Sequence, residues 1–539
     1  MGDRKADLWH SPAVHPLSKE KVKEIADSLN LGCSSEEIDV YTAHYRESLK
    51  SYQRVHELVE PALPVRYPRT PGYRPKPEEN THNAWYYKCD IKGAATGKLS
   101  GKRVGIKDNT AVAGVPMMNG SKIMEGYVPE FDATIVTRIL DAGGHIIGKT
   151  ACEDVCLSAG GFNNAMAPVL NPAKKDHLTS GSSSGSAVLL ATGEIDLASG
   201  GDQSGSIRLP ACWCGIVGLK PTYGLVPYTG CMPIDMTIDH CGPMARSVYD
   251  CALMLEVLAG YDDGRDPRQH PNTTVPEYTK LLSEDLSGKR VGLVKEGFEI
   301  CEQDVNDIVR AAAKMLIGAG AAVEEVSIPA HKDGIHIWTP IGFEGAYQTM
   351  ISDNVYLLVF VLLTVNCIYA SYISAYSVGW KGQHFPSLLD KLGQACATRS
   401  LDYSEGVRSR MILADYMTKD YHGRFYAKAQ NLGRWLTNEY NKALADYDVL
   451  IMPTIPYKAP KIPRDDITVA ERISVSLSLI PNTAPFNISG HPSLSVNAGH
   501  SNGLPIGMMI TGRSFDDATV LQVAYAFERL RDKTKGTKK

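Results

Sequence analysis

Residues 180–224 read SGSSSGSAVLLATGEIDLASGGDQSGSIRLPACWCGIVGLKPTYG. This stretch contains two turns rich in serine and glycine, and Ser182 and Ser206 lie on them, 24 residues apart. A serine on a tight turn that opens a helix has an exposed hydroxyl, and successive backbone N–H groups around it point at one spot. GGDQSGSIRLP is such a turn, with Ser206 at its end. It predicts a nucleophilic serine beside a site for a developing negative charge.

Outside this block, short apolar runs alternate with segments of helical spacing. This alternation favours an α/β fold with a sheet covered by helices on both faces. The predicted strands are 103–108, 145–150, 290–294, 449–454 and 492–499. The predicted helices are 132–142, 247–259, 304–319, 430–446 and 516–531.

The N-terminal part of the chain differs in pattern from the rest. Residues 18–60 are predicted to be helical, and Ser34 with Glu37 forms a candidate capping box. Six prolines follow between residues 61 and 77 and predict a stiff, extended connector. We therefore predict a helical extension with its connector over 1–77 and a catalytic domain over 78–539.

Composition is that of a globular protein without an electrostatic specialisation. The 539 residues include 56 basic and 60 acidic side chains, a net charge of −4, and no basic run interleaved with aromatics. Nothing here favours a nucleic acid or an anionic membrane as partner. The N-terminus lacks an apolar signal region, and the twelve cysteines follow no paired framework. We expect a cytoplasmic protein with buried, reduced thiols.

One segment does not fit this pattern. Residues 354–380 carry no charged side chain, and 355–373 is long enough to span a bilayer. Three interpretations are open: a short intron retained in the gene model, which we prefer, a buried core helix, or a membrane or interfacial segment. A transcript that reads straight through codons 355–375 would refute the first.

Lys107, in the sequence GIKDN, is a candidate base for the serine turns. Acyl transfer to a serine needs an activated nucleophile, a proton donor for the leaving group and donors for the oxyanion. A lysine accepts a proton only as the neutral amine, and burial after the apolar residues VGI would favour that form. Ser182 is the candidate relay between this lysine and the nucleophile. Taken singly, SGSSSGS could be a flexible linker and Lys107 a structural residue.

Three motifs together resemble the amidase signature family over about residues 80–525. They are GIKDN, the turn SGSSSGSA and the run DQSGSIR, followed by CGIVGLKPTYG. The resemblance implies a large mixed sheet flanked by helices, a Ser-Ser-Lys triad and no cofactor or metal, in keeping with the absence of HxxxH and HExxH patterns. It also implies a cis peptide bond at or before Ser182.

The family pattern assigns a role to each residue of the site. Lys107 would be the base, Ser182 the proton relay and Ser206 the acylated nucleophile. The oxyanion would be bound by backbone N–H groups of Gln203, Ser204, Gly205 and Ser206. Residues expected to support the turn or to line the acyl site and substrate channel are Asp202, Arg208, Cys156, Ser158, Trp338 and Tyr347.

Stand-alone amidases of nitrile metabolism are the most similar group, through AGVPMMNGS, GGDQ, YTG, TIDHCGP, DPRQ and the helical extension. Such enzymes convert small carboxylic amides to acids and ammonia. Two alternatives are an amidotransferase A-type subunit that supplies ammonia within a complex, and a catalytically silent scaffold. The N-terminal helices could mediate a homodimer.

Three glycines of the family pattern are serine in this chain: Ser180, Ser184 and Ser204. We expect Ser204 to matter most, because it lies in the oxyanion turn. A positive φ there would cost about 1 kcal/mol, and the added hydroxymethyl group would narrow the acyl pocket. Restoring glycine at 204 should then raise turnover or widen the substrate range.

Overall fold

A computed structural model describes residues 14–350, 381–464, 468–471, 473 and 478–536. Its contacts divide the chain into two compact units, residues 1–63 and 64–539. The smaller unit is a pair of helices, α1 (Lys19–Ser28) and α2 (Ser35–Glu57). Val22, Ala26 and Ile38 form their shared core. The capping box is confirmed: the Glu37 carboxylate accepts from the Ser34 N–H (2.7 Å), and the Glu37 N–H donates to the Ser34 hydroxyl (3.2 Å).

The larger unit is built on one mixed sheet, which has eleven strands in the described part of the chain. Its order is β1-β3-β2-β4-β6-β5-β10-β11-β9-β7-β8. The pairs β2–β3, β2–β4, β7–β8 and β7–β9 are parallel, and the remaining pairs are antiparallel. The strands are β1 (Trp85–Lys92), β2 (Arg103–Lys107), β3 (His145–Thr150), β4 (Leu197–Asp202), β5 (Val217–Lys220), β6 (His240–Ala245), β7 (Arg290–Val294), β8 (Ala322–Val326), β9 (Val449–Pro453), β10 (Ser493–Ser501) and β11 (Leu504–Gly512).

Helices cover both faces of this sheet. On β11, a side chain at Gly507 would meet Cys212 of α5, whereas one at Gly512 would meet Val520 of α14. Side chains alternate between the faces of a strand, so these two positions, an odd number of residues apart, face opposite sides. The helices are α3 (Thr134–Asp141), α4 (Ser184–Ala191), α5 (Arg208–Cys214), α6 (Val248–Leu258), α7 (Lys295–Glu299), α8 (Gln303–Met315), α9 (Gly334–Met350), α10 (Pro386–Arg399), α11 (Glu405–Tyr421), α12 (Arg424–Asp446), α13 (Pro485–Ser489) and α14 (Asp517–Gly536).

The predicted α/β fold is confirmed, and each predicted strand and helix of the larger unit corresponds to an observed element. The proline-rich stretch from residue 64 onward belongs to the larger unit. Arg69 within it forms a two-point ion pair with Asp132, at 2.7 and 2.9 Å. The domain boundary near residue 78 stays a prediction.

The apolar stretch 355–373 lies outside the described residues, so its three interpretations stay open. Within the described part of the chain, no helix combines the length and the hydropathy needed to cross a bilayer.

Candidate active site

Lys107 ends β2, an inner strand between β3 and β4, and its side chain has no solvent exposure. Its Nζ lies 2.8 Å from the Ser182 Oγ and 3.2 Å from the carbonyl oxygen of Gly201. Its backbone N–H donates to the Ser199 hydroxyl at 3.0 Å. The amine is therefore held between the first serine turn and β4, the strand that leads to the second serine turn.

Ser182 lies two residues before α4 and is fully buried. The Gly181–Ser182 peptide bond is cis, as the sequence resemblance implied. The Glu153 N–H donates to the Ser182 carbonyl at 3.2 Å, and a side chain at Gly181 would meet the Glu153 side chain at 2.7 Å. Glu153 thus packs directly against this turn.

Ser206 lies in the turn between β4 and α5, and 2% of it is exposed. The two serine turns are joined, because the Ser183 N–H donates to the Ser206 carbonyl at 3.2 Å. The structure therefore brings Lys107, Ser182 and Ser206 together, although Lys107 precedes the first serine by 75 residues.

The turn that carries Ser206 has free backbone donors. In the described part of the chain, the N–H groups of Ser204, Gly205 and Ser206 donate no hydrogen bond. Gly205 has φ of +139°, and a Cβ there would lie 2.5 Å from the Thr483 hydroxyl and 2.7 Å from Leu209. A residue with a side chain would not fit this position. Free N–H groups on a tight turn are the feature needed to bind an oxyanion.

The Ser204 backbone does not have a positive φ, so it lacks the strain that such a φ would cause. Ser204 is not among the described non-glycine residues with positive φ, whereas Ser180 has φ of +60°. The Ser180 hydroxyl donates to the Ala159 carbonyl at 2.8 Å, which anchors the strained residue. Serine replaces a glycine of the family pattern at residues 180, 184 and 204. Of these three positions, residue 180 in the first serine turn is the one with a left-handed backbone.

Asp202 and Arg208 lie at the two ends of the turn that carries Ser206, and neither side chain is exposed. The Asp202 carboxylate accepts from the Arg208 guanidinium at 2.9 and 3.0 Å and from the Ile207 N–H at 3.1 Å. Burial alone would raise the pKa of Asp202, but Arg208 and the Asn487 side-chain amide outweigh it and hold that pKa well below its usual range. Both ends of the turn are thus tied to one carboxylate.

Cys156 also reaches this region, on a bend where Val155 and Cys156 have φ of +42° and +60°. Its thiol donates to the Asn119 Oδ1 at 3.2 Å. Burial alone would raise the pKa of Cys156, but the Cys152 thiol and the positive charge of a protonated Lys107 lower it to about 6.

The other side chains expected at the acyl site or channel occupy separate positions. The Ser158 hydroxyl accepts from the Asn163 side chain at 2.9 Å. The Trp338 indole donates to the Gln203 carbonyl at 2.7 Å, in the turn that precedes Ser206. The Tyr347 hydroxyl donates to the Asp415 carboxylate instead.

Glu153 is a buried acid at the site that the sequence analysis did not single out. One of its carboxylate oxygens accepts from the Asn163 N–H at 3.1 Å, and hydrogen bonds from the Ser158 hydroxyl and the Gly161 N–H also act to lower its pKa. Burial raises its pKa to about 7. The sequence contains a signal for Glu153, because this residue follows β3 and Lys107 ends β2, and the two strands are parallel neighbours.

A second buried lysine next to the site has a different environment. Lys149 on β3 forms an ion pair with Asp108 at 2.8 Å, and both side chains are buried. Lys107, by contrast, has no carboxylate within ion-pair distance among the described residues. The two buried lysines therefore differ in their surroundings, because only Lys149 has a carboxylate partner among the described residues.

Known proteins resemble this chain over most of its length. The Amidase family profile matches residues 74–521. An enantioselective amidase from Rhodococcus rhodochrous is 44% identical over 482 residues, which cover 88% of each chain. The glutamyl-tRNA(Gln) amidotransferase A-type subunit from Methanosarcina mazei is 35% identical over 438 residues, which cover 81% of this chain and 86% of the relative.

A solved structure also resembles this chain in fold. The crystal structure of the glutamyl-tRNA(Gln) amidotransferase A-type subunit from Thermotoga maritima matches with a TM-score of 0.66 at 28% identity, covering 84% of this chain and 88% of that chain. The chain belongs to the amidase signature family. It is an amidase, a hydrolase of carboxylic amide C–N bonds.

Proposed function

We propose that this amidase hydrolyses a small carboxylic amide to the acid and ammonia through an acyl-enzyme on Ser206. The observation that supports this most directly is the buried 2.8 Å contact between the Lys107 amine and the Ser182 hydroxyl, on a turn bonded to that of Ser206. A lysine base, a hydroxyl relay and a second serine beside free N–H groups are the components that acyl transfer from an amide needs.

In the acylation step, the Ser206 oxygen attacks the amide carbon while its proton passes to Ser182, whose own proton passes to Lys107. The carbonyl oxygen becomes an oxyanion, which the N–H groups of Ser204, Gly205 and Ser206 bind. Gln203 begins the same turn and is the fourth candidate donor. When the C–N bond breaks, the proton returns from Lys107 through Ser182 to the leaving nitrogen, which departs as ammonia.

Deacylation repeats these transfers with water in place of Ser206. Water attacks the acyl carbon and gives its proton to the relay, and the Ser206 oxygen recovers a proton as the acid departs. Lys107 ends the cycle as the neutral amine.

A second candidate function is that of an amidotransferase subunit, because one of the relatives above is such a subunit. That function requires a partner chain, so co-purification of a second protein from the native source would favour it. The 44% identity to an enantioselective amidase supports direct amide hydrolysis over this second function. A silent scaffold would bind ligands without releasing ammonia.

The experiment that tests the proposal is intact mass after treatment with a fluorophosphonate probe, followed by peptide mapping. We expect one adduct on Ser206, absent in Ser206→Ala and strongly reduced in Lys107→Ala and Ser182→Ala. Ser183→Ala is the matched control, because the Ser183 hydroxyl donates to the Gly201 carbonyl rather than to Lys107. A folded protein without an adduct, or with one elsewhere, would refute the proposed nucleophile.

An ammonia-release screen with aliphatic and aromatic primary amides then defines the substrate. Activity that is retained in Ser206→Ala would overturn the acyl-enzyme mechanism even if the protein is an amidase. Loss of activity in Ser206→Ala with normal thermal stability supports it.

We also propose a homodimer and a cytoplasmic location. Apolar side chains along the second half of α2 are exposed, including Tyr52, Val55 and, just beyond the helix, Val59. Such a surface favours association with another copy. Light scattering of the full chain and of a Val55→Glu variant tests the dimer. The cysteines of the described chain are mostly buried and form no disulfide there, which suits a reducing compartment.

A further inference from the structure

Two consecutive carbonyl groups of the Ser206 turn are held by side chains that are distant in sequence. The Trp338 indole N–H, on α9, donates to the Gln203 carbonyl at 2.7 Å. The Thr483 hydroxyl, just before α13, donates to the Ser204 carbonyl. Trp338 is 5% exposed and Thr483 has no exposure.

The direction of these carbonyls determines the direction of the free N–H groups. In a trans peptide, the C=O of one residue and the N–H of the next point in opposite directions. The Gln203–Ser204 and Ser204–Gly205 peptides are not among the cis bonds of the described chain. The Gln203 and Ser204 carbonyls point toward Trp338 and Thr483. The N–H groups of Ser204 and Gly205, in the same two peptides, therefore point away from these side chains.

The indole is itself fixed by its packing on α9. A Cβ at Gly342, one helical turn further along, would lie 2.7 Å from the indole ring carbons, so the ring rests directly on this glycine. Phe343 contacts the same ring edge-to-face, with 6.0 Å between centroids. Thr483 is equally confined, because its hydroxyl would lie 2.5 Å from a Cβ at Gly205.

We infer that Trp338 and Thr483 are positioning residues that preorganise the oxyanion-binding turn. They act from outside the site through the carbonyls of Gln203 and Ser204, without contact with the reacting atoms. The inference rests on the proposed function, since it assumes that the Ser204 and Gly205 N–H groups bind the oxyanion. Donors fixed before the reaction contribute more to the transition state than donors that must first reorient.

Trp338→Phe tests this directly, because it keeps an aromatic ring and removes the indole N–H. Loss of one oxyanion donor costs about 10²–10³-fold in kcat, so misdirection of a retained donor should cost less, roughly 10-fold. KM should change by less than about twofold, because the oxyanion does not exist in bound substrate. Trp85→Phe is the matched control, since its indole N–H donates to Glu194 from the edge strand β1.

A trifluoromethyl ketone analogue of the substrate provides a second readout. Its adduct with Ser206 carries an oxyanion, whereas the product acid binds without one. We expect Trp338→Phe to raise the Ki of the ketone roughly 10-fold and to leave the Ki of the acid unchanged. A role in lining the acyl pocket would weaken both ligands, and that result would overturn the inference.

Thr483 offers an independent pair of variants. Thr483→Val removes the hydroxyl and should reproduce the effect of Trp338→Phe, whereas Thr483→Ser keeps the donor and should retain kcat within about twofold. Equal kcat and ketone Ki in wild type, Trp338→Phe and Thr483→Val would overturn the inference, provided that activity still depends on Ser206. Activity that survives in Ser206→Ala would instead show that the proposed function has failed.

Discussion

Asp202 and Arg208 form a two-point ion pair that closes the turn carrying Ser206, with hydrogen bonds of 2.9 and 3.0 Å. Asp202 is the last residue of β4, and Arg208 is the first of α5. The pair therefore fixes the distance between the end of the strand and the start of the helix. A nucleophile on such a closed turn can keep its geometry without contacts of its own side chain.

Arg208→Lys is expected to lower both stability and turnover. Lysine keeps the charge but cannot make the two parallel hydrogen bonds of a guanidinium. Because the pair is fully buried, the loss should be about 1–3 kcal/mol, visible as a lower melting temperature. The kcat should fall as well, since the turn loses its closure.

Arg103→Lys is the matched control for this substitution. Arg103 makes the same two-point contact with Asp196, but 45% of its side chain is exposed. Exposed pairs contribute about 0–1 kcal/mol. Equal losses of stability in the two variants would contradict the importance of the buried closure.

The two buried lysines should respond in opposite ways to replacement by methionine. Lys107→Met removes an amine without a carboxylate partner, so we expect unchanged or higher thermal stability and a loss of at least about 10²-fold in amide hydrolysis. Lys149→Met leaves Asp108 without its ion-pair partner. It should cost about 3 kcal/mol. Thermal melting and ammonia release, measured on both proteins, distinguish these outcomes.

The effect of glycine on stability, relative to alanine, should differ between residues 180 and 204. Ser180 has a positive φ, so Ser180→Gly should be more stable than Ser180→Ala by about 1 kcal/mol. At 204 the φ is not positive, so Ser204→Ala should be more stable than Ser204→Gly by about 0.5–1 kcal/mol. Melting temperatures of the four variants test this. The same order at both positions would contradict the assignment of strain to Ser180.

Ser204→Gly still tests the width of the acyl pocket. Ser204 is partly exposed, whereas its neighbours Gly205 and Ser206 are buried. Removing its hydroxymethyl group should raise kcat/KM for amides with bulkier acyl groups. Unchanged kinetics across acyl sizes would refute this expectation.

The apolar runs of the sequence predict β2 and β3, but the local pattern does not predict β4 or β6. The runs RVGIK and HIIGKT predicted β2 and β3, whereas LASGGD and HCGPMA, which form β4 and β6, contain the small residues and proline typical of turns. The buried strands β4 and β6 are formed by pairing within the sheet, which overrides local preference. Their register, such as Asp202 opposite His240, depends on the whole fold.

The motif residues of the site could be found from sequence, but their supports could not. Lys107, Ser182 and Ser206 lie in recognisable motifs, and the structure places them together. Trp338 contacts Gln203 across 135 residues of chain, and Asn487 contacts Asp202 across 285. Such contacts leave no local pattern. The sequence likewise does not show that the positive φ lies at Ser180 rather than at Ser204, because the φ of a turn residue depends on its neighbours in space.

Glu153 should make stability depend on pH between about 4.5 and 7. Burial raises its folded-state pKa to about 7 from a usual value of 4.5, Asp154 adds to the shift, and Arg410 is the nearby cation. In this range the folded protein holds a proton that the unfolded chain has released. The associated stability is complete below pH 4.5 and is lost as the pH rises through 7.

Glu153→Gln removes this titration and keeps an acceptor for the Asn163 N–H. At about 1.4 kcal/mol per pKa unit, the variant should gain up to about 3 kcal/mol over wild type as the pH rises from 4.5 to 8. Melting temperatures across that range measure the gain. The control is Glu256→Gln, because the pKa of Glu256 is lowered and its titration falls below this range. A constant difference between Glu153→Gln and wild type from pH 5 to 8 would show that Glu153 is ionised throughout, with Arg410 as its counter-ion.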